Sequence, residues 1–383
     1  MNGKQLKKTI ALLKPFKSSN SNNGTEFLAI KAEEGNIIFG MGNEAGYVQV
    51  TGPSGENDFN CLINFNNLWE NAKNISPKDD ISLDYDDEKS QFLIITNSIV
   101  RRIDCQGINI KTHAADIYLW DLTENKKEIM NGDEFNNALL NTVFSVSFDD
   151  ARPDLNYVIF KDKKAVSTDA FRISIYDLEG SLHAGKEFWI HRKIGKYIIK
   201  NFPKQSTAVF YDKEILNNHP VKISYTLGSL DVAIFPAQCD GNFPDWEAIS
   251  VINQENKKEF AALTFPYAVT DLLPSRFRKN DTHLIKFYPT KEDQNVIYKY
   301  DEGQVDSTMD LETKDGKVHS FGSMQVTFNA QYMKEFLNAP EVKKSESIIM
   351  YTRHGRTAKA HDMPMTSFTG KLTHVLMPMN ITD

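Results

Sequence analysis

The sequence contains few cysteines and no long apolar run. Its three cysteines, Cys61, Cys105 and Cys239, lie far apart and form no CxxC pair, so neither a disulfide framework nor a structural zinc site is predicted. No segment approaches the roughly 20 apolar residues that span a bilayer, and the first residues, MNGKQLKKTIALLKPF, are too polar and too evenly charged for a signal peptide. We therefore expect free thiols, a reducing cytoplasm and no membrane partner.

Positive charge is also in deficit. The chain has 44 Lys and Arg against 51 Asp and Glu, a formal net charge of -7. A protein that coats nucleic acid through charge alone needs an excess of basic residues, because its affinity depends on neutralising phosphates. The composition excludes that class of protein, although it leaves room for a local basic surface.

Apolar and aromatic residues are plentiful. Hydrophobic residues make up 40% of the 383 positions, with 24 Phe and 14 Tyr, which is typical of a folded protein. A chain of this length is expected to build more than one hydrophobic core.

Six short helical patterns recur at intervals of roughly 60 to 70 residues, each followed by alternating β-type segments. Asn66 and Asn329 are predicted N-caps, and Asp133 is predicted to open the third pattern. The fifth is predicted to start near Pro266, because proline suits a first helical turn. A single unit of one helix with three or four strands cannot easily bury both the apolar stripe of its helix and a face of its sheet. Pairing of the units into three similar domains is therefore predicted. Coincidence in an ordinary α+β protein remains the alternative. The patterns are KQLKKTIALLKPF, INFNNLWENAKNIS, NGDEFNNALLNTVFSVS, HRKIGKYIIKNFP, TFPYAVTDLL and VTFNAQYMKEFLNAP.

The segment NIIFGMGNEAG places Gly40, Gly42 and Ala45 at the spacing of a dinucleotide-binding turn. Such a turn needs a following helix, whose N-terminus holds the pyrophosphate. The residues that follow, GYVQVTG, alternate like a strand, so a hairpin turn is the favoured interpretation.

The segment IIMYTRHGRT resembles the phosphate-accepting strand of histidine phosphatases at Arg353 and His354. That chemistry needs a second His and further Arg groups, which the short remainder of the chain does not supply. A basic hairpin tip with Gly355 in the turn is favoured, and a phosphohydrolase remains the alternative. Other catalytic motifs are missing from the sequence. We expect no catalytic residues, no metal site and no cofactor.

The segment LNYVIFKDKKAVSTDAFRISIYDL resembles part of the bacterial β sliding clamp, the beta subunit and processivity factor of DNA polymerase III. Residues 167–173 match its ATDGHRL-like run. Further landmarks follow in family order, so the resemblance covers nearly the whole chain. They are LLKP, AADIYLWD, NFPDW, FNAQYMKEFL and HVLMPM.

This resemblance implies an α+β fold of three clamp domains, expected at residues 1–127, 128–252 and 253–383. Each domain has two helices packed on antiparallel sheets, and two chains close head to tail into a ring. Leu272 and Leu273 fall where the family has apolar dimer-interface residues, although ordinary helix burial explains them equally well.

The family's function implies a homodimer that encircles double-stranded DNA topologically and without sequence specificity. A clamp loader places it on DNA, and it tethers DNA polymerase. The basic residues expected to face DNA are Lys8, Lys14, Lys73, Arg192, Lys193, Lys196, Lys200 and Lys334. A clamp-like protein that never closes a ring is a further alternative.

In the family, partner peptides dock into a groove edged by the C-terminal tail. The corresponding residues here are Leu155, Thr168, Ala170, Arg172, Ile173, Pro244, Ile249, Tyr332, Val375, Leu376, Met377, Pro378 and Met379. For Val375 and Leu376 a core strand is the alternative. Ala170 and Phe171 replace the usual Gly and His, Ala248 stands where a basic residue is frequent, and four residues follow Met379. These departures affect the expected peptide preference more than the groove itself.

Overall fold

The structure is a computed structural model of the 383-residue chain, and it shows short helices and antiparallel sheets. Within the described residues, no helix has the length and apolar character needed to cross a membrane. The residues that the structure does not describe are 18–26, 56, 98, 106–127, 180–186, 202–206, 211–220, 240, 250–251, 258–260, 275–282, 290–293, 301–303, 311–325, 353–363 and 380–383.

Helices occupy the predicted places. Leu6, Ile10 and Leu13 are fully buried on one face of the first helix, as its amphipathic spacing predicts. The fifth pattern forms a 3₁₀ helix, Tyr267–Leu272, rather than an α-helix, and Pro266 ends the strand before it instead of lying in its first turn. The α-helices are α1 (Gly3–Leu13), α2 (Phe65–Lys73), α3 (Gly132–Thr142), α4 (Arg192–Asn201), α5 (Trp246–Ile249), α6 (Ala330–Leu337) and α7 (Pro340–Lys343).

One of the two N-cap predictions is wrong by two residues. The α2 cap is Asn64, whose Oδ1 accepts hydrogen bonds from the backbone N–H of Asn66 and Asn67 at 2.9 and 3.3 Å. Asn66 lies in the first turn, because the helix already begins at Phe65. The prediction for α6 is confirmed, since Asn329 Oδ1 accepts from two first-turn N–H groups.

The strands are short and pair antiparallel. The first are β1 (Phe27–Glu33), β2 (Asn36–Asn43), β3 (Gly46–Pro53), β4 (Phe59–Asn64), β5 (Ser82–Asp86), β6 (Gln91–Ile95), β7 (Val100–Asp104), β8 (Glu128–Asn131), β9 (Tyr157–Lys161), β10 (Lys164–Thr168), β11 (Arg172–Asp177) and β12 (Glu187–His191). The rest are β13 (Thr207–Phe210), β14 (Val221–Leu227), β15 (Leu230–Pro236), β16 (Ala261–Pro266), β17 (His283–Pro289), β18 (Gln294–Tyr300), β19 (Gln304–Asp310), β20 (Val326–Asn329), β21 (Ser347–Thr352), β22 (Met365–Thr369) and β23 (Leu372–Leu376).

The chain divides into two compact units. Unit 1 comprises residues 1–136 and 188–239, and unit 2 comprises residues 137–187 and 240–383. Both are built from segments distant in sequence. The division into three domains, with boundaries near residues 127 and 252, stays a prediction.

Unit 1 contains an eight-stranded sheet in the order β4-β1-β2-β3-β15-β14-β13-β8 and a three-stranded sheet, β5-β6-β7. The hairpin prediction for the glycine-rich segment is confirmed, because β2 pairs with β3 through Asn43 and Gly46. At Gly46 the backbone φ is 148°, and a Cβ would meet the Phe235 carbonyl oxygen at 2.4 Å. The close approach of β15 therefore requires glycine here.

Unit 2 contains a sheet in which β9, β10, β11, β23, β22, β21 and β16 are neighbours in that order, and a four-stranded sheet, β19-β18-β17-β20. Strand β11 pairs with β23, with Ser174 opposite His374 and Ile173 opposite Val375. Phe265, Phe287, Phe328 and Phe336 are fully buried in the core of this unit. The pairing of β11 with the last strand positions the candidate site.

Candidate functional site

Strands β11 and β23 present different chemistry on their two faces. Successive side chains on a strand point to opposite faces. On one face Ile173 and Val375 join Val166 and Ile175 in a small cluster, against which Phe243 and Trp246 pack half-buried. We call these six residues the apolar patch. It is separate from the large core of unit 2.

Ile173 and Val375 of the predicted groove belong to this patch, and Thr168 lies opposite Ile173 in the β10–β11 ladder. Pro244 follows Phe243 in sequence and is half-buried. Leu155 is buried in the 3₁₀ turn that precedes β9. Trp246 also carries Lys164 over its ring, with Nζ 5.1 Å from the centroid. Ala248 is exposed on α5, and the side chain of Ile249 lies outside the described residues.

Leu376 takes a different place from Val375. It is fully buried in the large core, together with Leu372 and Phe336, so its side chain contributes to the core rather than to the apolar patch. For this residue the core-strand alternative holds. Val375, two per cent exposed, points to the other face.

Arg172 is the centre of a buried charged cluster. Its side chain is only 2% exposed, and its Nε donates to Asp169 at 2.9 Å while Nη1 donates to Glu335 at 2.6 Å. The guanidinium lies 4.0 Å from the ring centroid of Tyr332, and burial raises the pKa of that tyrosine. The cluster therefore ties β11 to α6, through one buried cation and two carboxylates.

The turn from Thr168 to Arg172 is held by its own side chains. Thr168 Oγ1 donates to the Arg172 carbonyl at 2.7 Å, and Asp169 Oδ1 accepts from the N–H of Phe171 and Arg172 at 3.0 and 3.1 Å. This bonding leaves Phe171 54% exposed at the tip. It also forces Ala170 to a φ of 77°, which costs energy for a residue with a Cβ.

Replacing Ala170 with glycine is expected to raise the free energy of unfolding by about 1 kcal/mol, because glycine relieves the left-handed strain at a modest cost in unfolded-state entropy. Urea denaturation of the two proteins measures the change. Ala151→Gly, at another exposed position where no positive φ occurs, is the matched control and should not stabilise. An Ala170→Gly protein less stable than the original would contradict the assigned strain.

The tail after β23 is attached at two points. The N–H of Met377 donates to the Phe171 carbonyl at 2.9 Å, and the N–H of Met379 donates to the Thr327 carbonyl at 2.8 Å. Pro378 between them is buried, and the two methionines are half-buried. The tail thus runs beside the 168–172 turn with flexible, polarizable side chains at its surface, which suits contact with apolar ligands.

His374 is a buried titratable residue that sequence reasoning missed. It is fully buried, its Nδ1 lies 2.9 Å from Ser174 Oγ, and its ring stacks on Phe336 with centroids 4.5 Å apart. Its Nε2 has no hydrogen-bond partner among the described residues. Burial, with the nearby Arg172 charge, holds the pKa of the imidazole well below its usual value. The sequence did carry a signal for this burial, because His374 alternates along the strand with Leu372 and Leu376 and so shares their buried face.

Most of the basic residues predicted to face DNA lie on helices of unit 1. Lys8, Lys14, Lys73, Lys196 and Lys200 are exposed there. Helices α1 and α2 are in contact, and the Nζ of Lys7 donates to the Lys73 carbonyl at 3.0 Å. The basic residues on or next to α1, α2 and α4 are Lys8, Lys14, Lys73, Arg192, Lys193, Lys196 and Lys200.

Contacts of Lys193, Lys73 and Lys14 restrain these side chains or pair their charge. Lys193 pairs with Glu44 at 2.6 Å, Lys73 pairs with Glu70, and Lys14 lies 5.2 Å from the Trp69 ring centroid. Lys334, on α6 of unit 2, is half-buried and donates to the Pro274 carbonyl, and burial lowers its pKa. We therefore expect Lys334 to contribute less to an anion-binding surface than the exposed lysines of unit 1.

The remaining predictions concern the dimer-interface leucines and the segment around His354. Leu273 is 6% exposed in the core of unit 2, and Leu272 packs half-buried against that core. Burial within a single chain is therefore enough to explain why position 273 is apolar. The role of the two leucines in a dimer interface stays a prediction. Arg353, His354 and Gly355, and the AADIYLWD segment, lie outside the described residues.

Comparison with known proteins gives a likeness in structure but not in sequence. No protein-family model and no curated protein matches the sequence. The structure is similar to that of a beta sliding clamp from Caulobacter crescentus, with a TM-score of 0.76, 13% identity and coverage of 100% of this chain and 98% of that chain.

Two other solved structures are similar to this chain over its full length, again at low sequence identity. DNA polymerase III subunit beta from Borrelia burgdorferi has a TM-score of 0.73 and 18% identity, and the beta subunit from DNA polymerase of Streptococcus pyogenes has 0.72 and 15%. Each match covers 100% of this chain and 99% of the other. The predicted α+β fold is confirmed over the full length, and the phosphohydrolase alternative gains no support. The chain has the fold of the bacterial DNA polymerase III beta sliding clamps.

Proposed function

We propose that this chain is a DNA sliding clamp: a protein without catalytic activity that encircles duplex DNA and tethers DNA polymerase and other DNA enzymes through a peptide-binding groove. The observation that carries the proposal is the apolar patch beside the attached tail, in a fold that matches beta clamps along the whole chain. A clamp loader, a cytoplasmic location and a homodimer belong to the same proposal.

The groove in this proposal lies between the apolar patch and the tail. A partner peptide would place apolar side chains against the exposed edges of Phe243 and Trp246, which cover Val375 and Ile173. Burying a Leu and a Phe anchor contributes roughly 3 to 6 kcal/mol before the costs of ordering the peptide. Binding of this strength is weak and exchangeable, which allows several enzymes to share one site.

The basic helices of unit 1 supply the DNA-facing surface in this proposal. Their exposed lysines contact phosphates without reading bases, so binding is not sequence-specific. A ring holds DNA by topology, which is why a chain with a net charge of -7 can still serve as a DNA-binding protein. Few phosphate contacts also let the ring slide.

Ring closure requires a second copy of the chain. Among the described residues, β7 pairs only with β6, and β19 pairs only with β18. Strand β7 is therefore an edge of the three-stranded sheet, and β19 is an edge of the four-stranded sheet. Ile99 is 50% exposed and Val100 41% exposed at the β7 edge. Head-to-tail pairing of such edges between two chains would remove them from solvent.

Native mass spectrometry at micromolar concentration tests the dimer. We expect a species of twice the 43.6 kDa chain mass, and we expect Val100→Asp to shift it towards the monomer by placing a charge at the β7 edge. Ile349→Asp, an exposed apolar position on β21 of unit 2, is the matched control. A monomer in the unaltered protein would favour a clamp-like protein that does not close a ring.

A further inference from the structure

Two of the three cysteines are brought together in unit 1. Strand β4 is the edge of the eight-stranded sheet, and Cys105, which directly follows β7, forms an isolated antiparallel bridge with Ile63 of that strand. Cys61 lies two residues before Ile63, on the same face of β4. Diagonal neighbours across an antiparallel pair are close enough for side chains to meet.

The two thiols differ in environment. Cys61 is 3% exposed, whereas Cys105 is half-buried and reachable from solvent, and its Sγ donates to the Ile103 carbonyl at 3.8 Å. The sulfur of Cys105 also accepts from the Phe92 N–H, and the Cys105 N–H donates to the Ser90 carbonyl at 2.9 Å. The neighbouring Cys61 thiol lowers the pKa of Cys105, while the Cys105 thiol, together with burial, raises the pKa of Cys61.

We propose that Cys61 and Cys105 form a reversible disulfide when the folded protein meets hydrogen peroxide. The accessible, hydrogen-bonded sulfur of Cys105 is the attacking group, and the buried Cys61 is the resolving thiol. This pairing is a property of the fold, because 43 residues separate the two cysteines in the sequence.

The chemistry balances in two steps. The Cys105 thiolate attacks one oxygen of the peroxide, the O–O bond breaks, and hydroxide leaves and takes up a proton as water, giving a sulfenic acid. The Cys61 thiol then gives up its proton as its sulfur attacks the Cys105 sulfur, the S–O bond breaks, and a second water leaves. Two thiols are oxidised and one peroxide is reduced. A dithiol reductant reverses the bond by thiol–disulfide exchange.

A disulfide here would tie the end of β7 to the edge strand β4. It would join the three-stranded sheet covalently to the eight-stranded sheet of the same unit. Among the described residues, the backbone pairing between these two strands is the single bridge of Ile63 with Cys105. The link would restrain the β7 end against local opening, since that end otherwise depends on a few hydrogen bonds.

Thiol counting and peptide mapping test the proposal on the full-length protein. After brief peroxide treatment of the folded protein, we expect accessible and buried thiols together to fall from three to one, and to return to three with dithiothreitol. Tryptic mapping should link the peptide of residues 32–73 to that of residues 103–111 with loss of two hydrogens, leaving residues 223–257, which contain Cys239, free.

Variants separate this pairing from non-specific oxidation. Cys239→Ser should form the link at an unchanged rate, and Cys61→Ala should leave a Cys105 sulfenic acid that dimedone traps. Protein unfolded in urea before oxidation should lose the preference for the 61–105 pair. The proposal is overturned if the folded, unaltered protein keeps all three thiols, or if Cys239 enters the links as often as the other two.

Discussion

Replacing Arg172 with alanine is expected to lower the free energy of unfolding by about 3 kcal/mol, because it leaves Asp169 buried without its partner. The Arg172 side chain is 2% exposed and Asp169 is 9% exposed, so water cannot replace the lost contacts. The stacking on Tyr332 is lost as well. Urea denaturation followed by tryptophan fluorescence measures the change.

Arg152 offers the matched control. It forms an (i, i+3) pair with Asp149 at 3.2 Å, as Arg172 does with Asp169, but both side chains are about half exposed. Arg152→Ala should change the free energy of unfolding by less than about 0.5 kcal/mol. Equal effects of the two substitutions would show that the Arg172 cluster does not hold β11 to α6.

Acidification from pH 7 to pH 5 is expected to lower the free energy of unfolding, by up to about 2 kcal/mol through His374. Above its ordinary pKa the imidazole is neutral in both the folded and the unfolded chain, so the full stability is present. Below that pKa the unfolded chain binds a proton that the buried ring does not, because the folded pKa is well below 6.5. Stability therefore falls as the pH falls, by up to about 1.4 kcal/mol per pH unit.

His374→Gln provides the comparison for this prediction. Glutamine can keep a hydrogen bond to Ser174 but does not titrate, so the variant should show a flatter dependence of unfolding free energy on pH between 7 and 5. The slope is compared rather than the absolute stability, since loss of stacking on Phe336 lowers stability at every pH. Identical slopes in the two proteins would place the acid sensitivity elsewhere.

The helices could be read from the sequence because each carries its own local signals. Leu6, Ile10 and Leu13 share a face, and Asn329 supplies a cap with no help from distant residues. The α2 cap was misplaced because Asn64, Asn66 and Asn67 are equivalent candidates, and only the end of β4 decides among them.

The site was predicted less completely because it depends on pairing between distant strands. Strand alternation places Val375 and Leu376 on opposite faces, but the face that meets the core is set by the register of β11 with β23, whose paired residues lie about 200 positions apart. The same register buries His374 against Ser174. The joining of β3 to β15 likewise had no local signal.

The groove can be tested directly by fluorescence anisotropy of a labelled peptide with Leu and Phe anchors, titrated with the intact protein. The comparison proteins are a chain that ends at Leu376, which keeps β23 whole but removes the tail, and Met377→Asp, with Ile349→Asp as the matched control. Circular dichroism establishes that each is folded.

We expect a Kd on the order of micromolar for the intact protein and for Ile349→Asp, and binding at least about tenfold weaker for Met377→Asp and for the shortened chain. If the intact, folded protein does not bind the peptide, or if the shortened chain binds as tightly as the intact one, the apolar patch and tail do not form the groove through which this clamp fold is proposed to hold its partners.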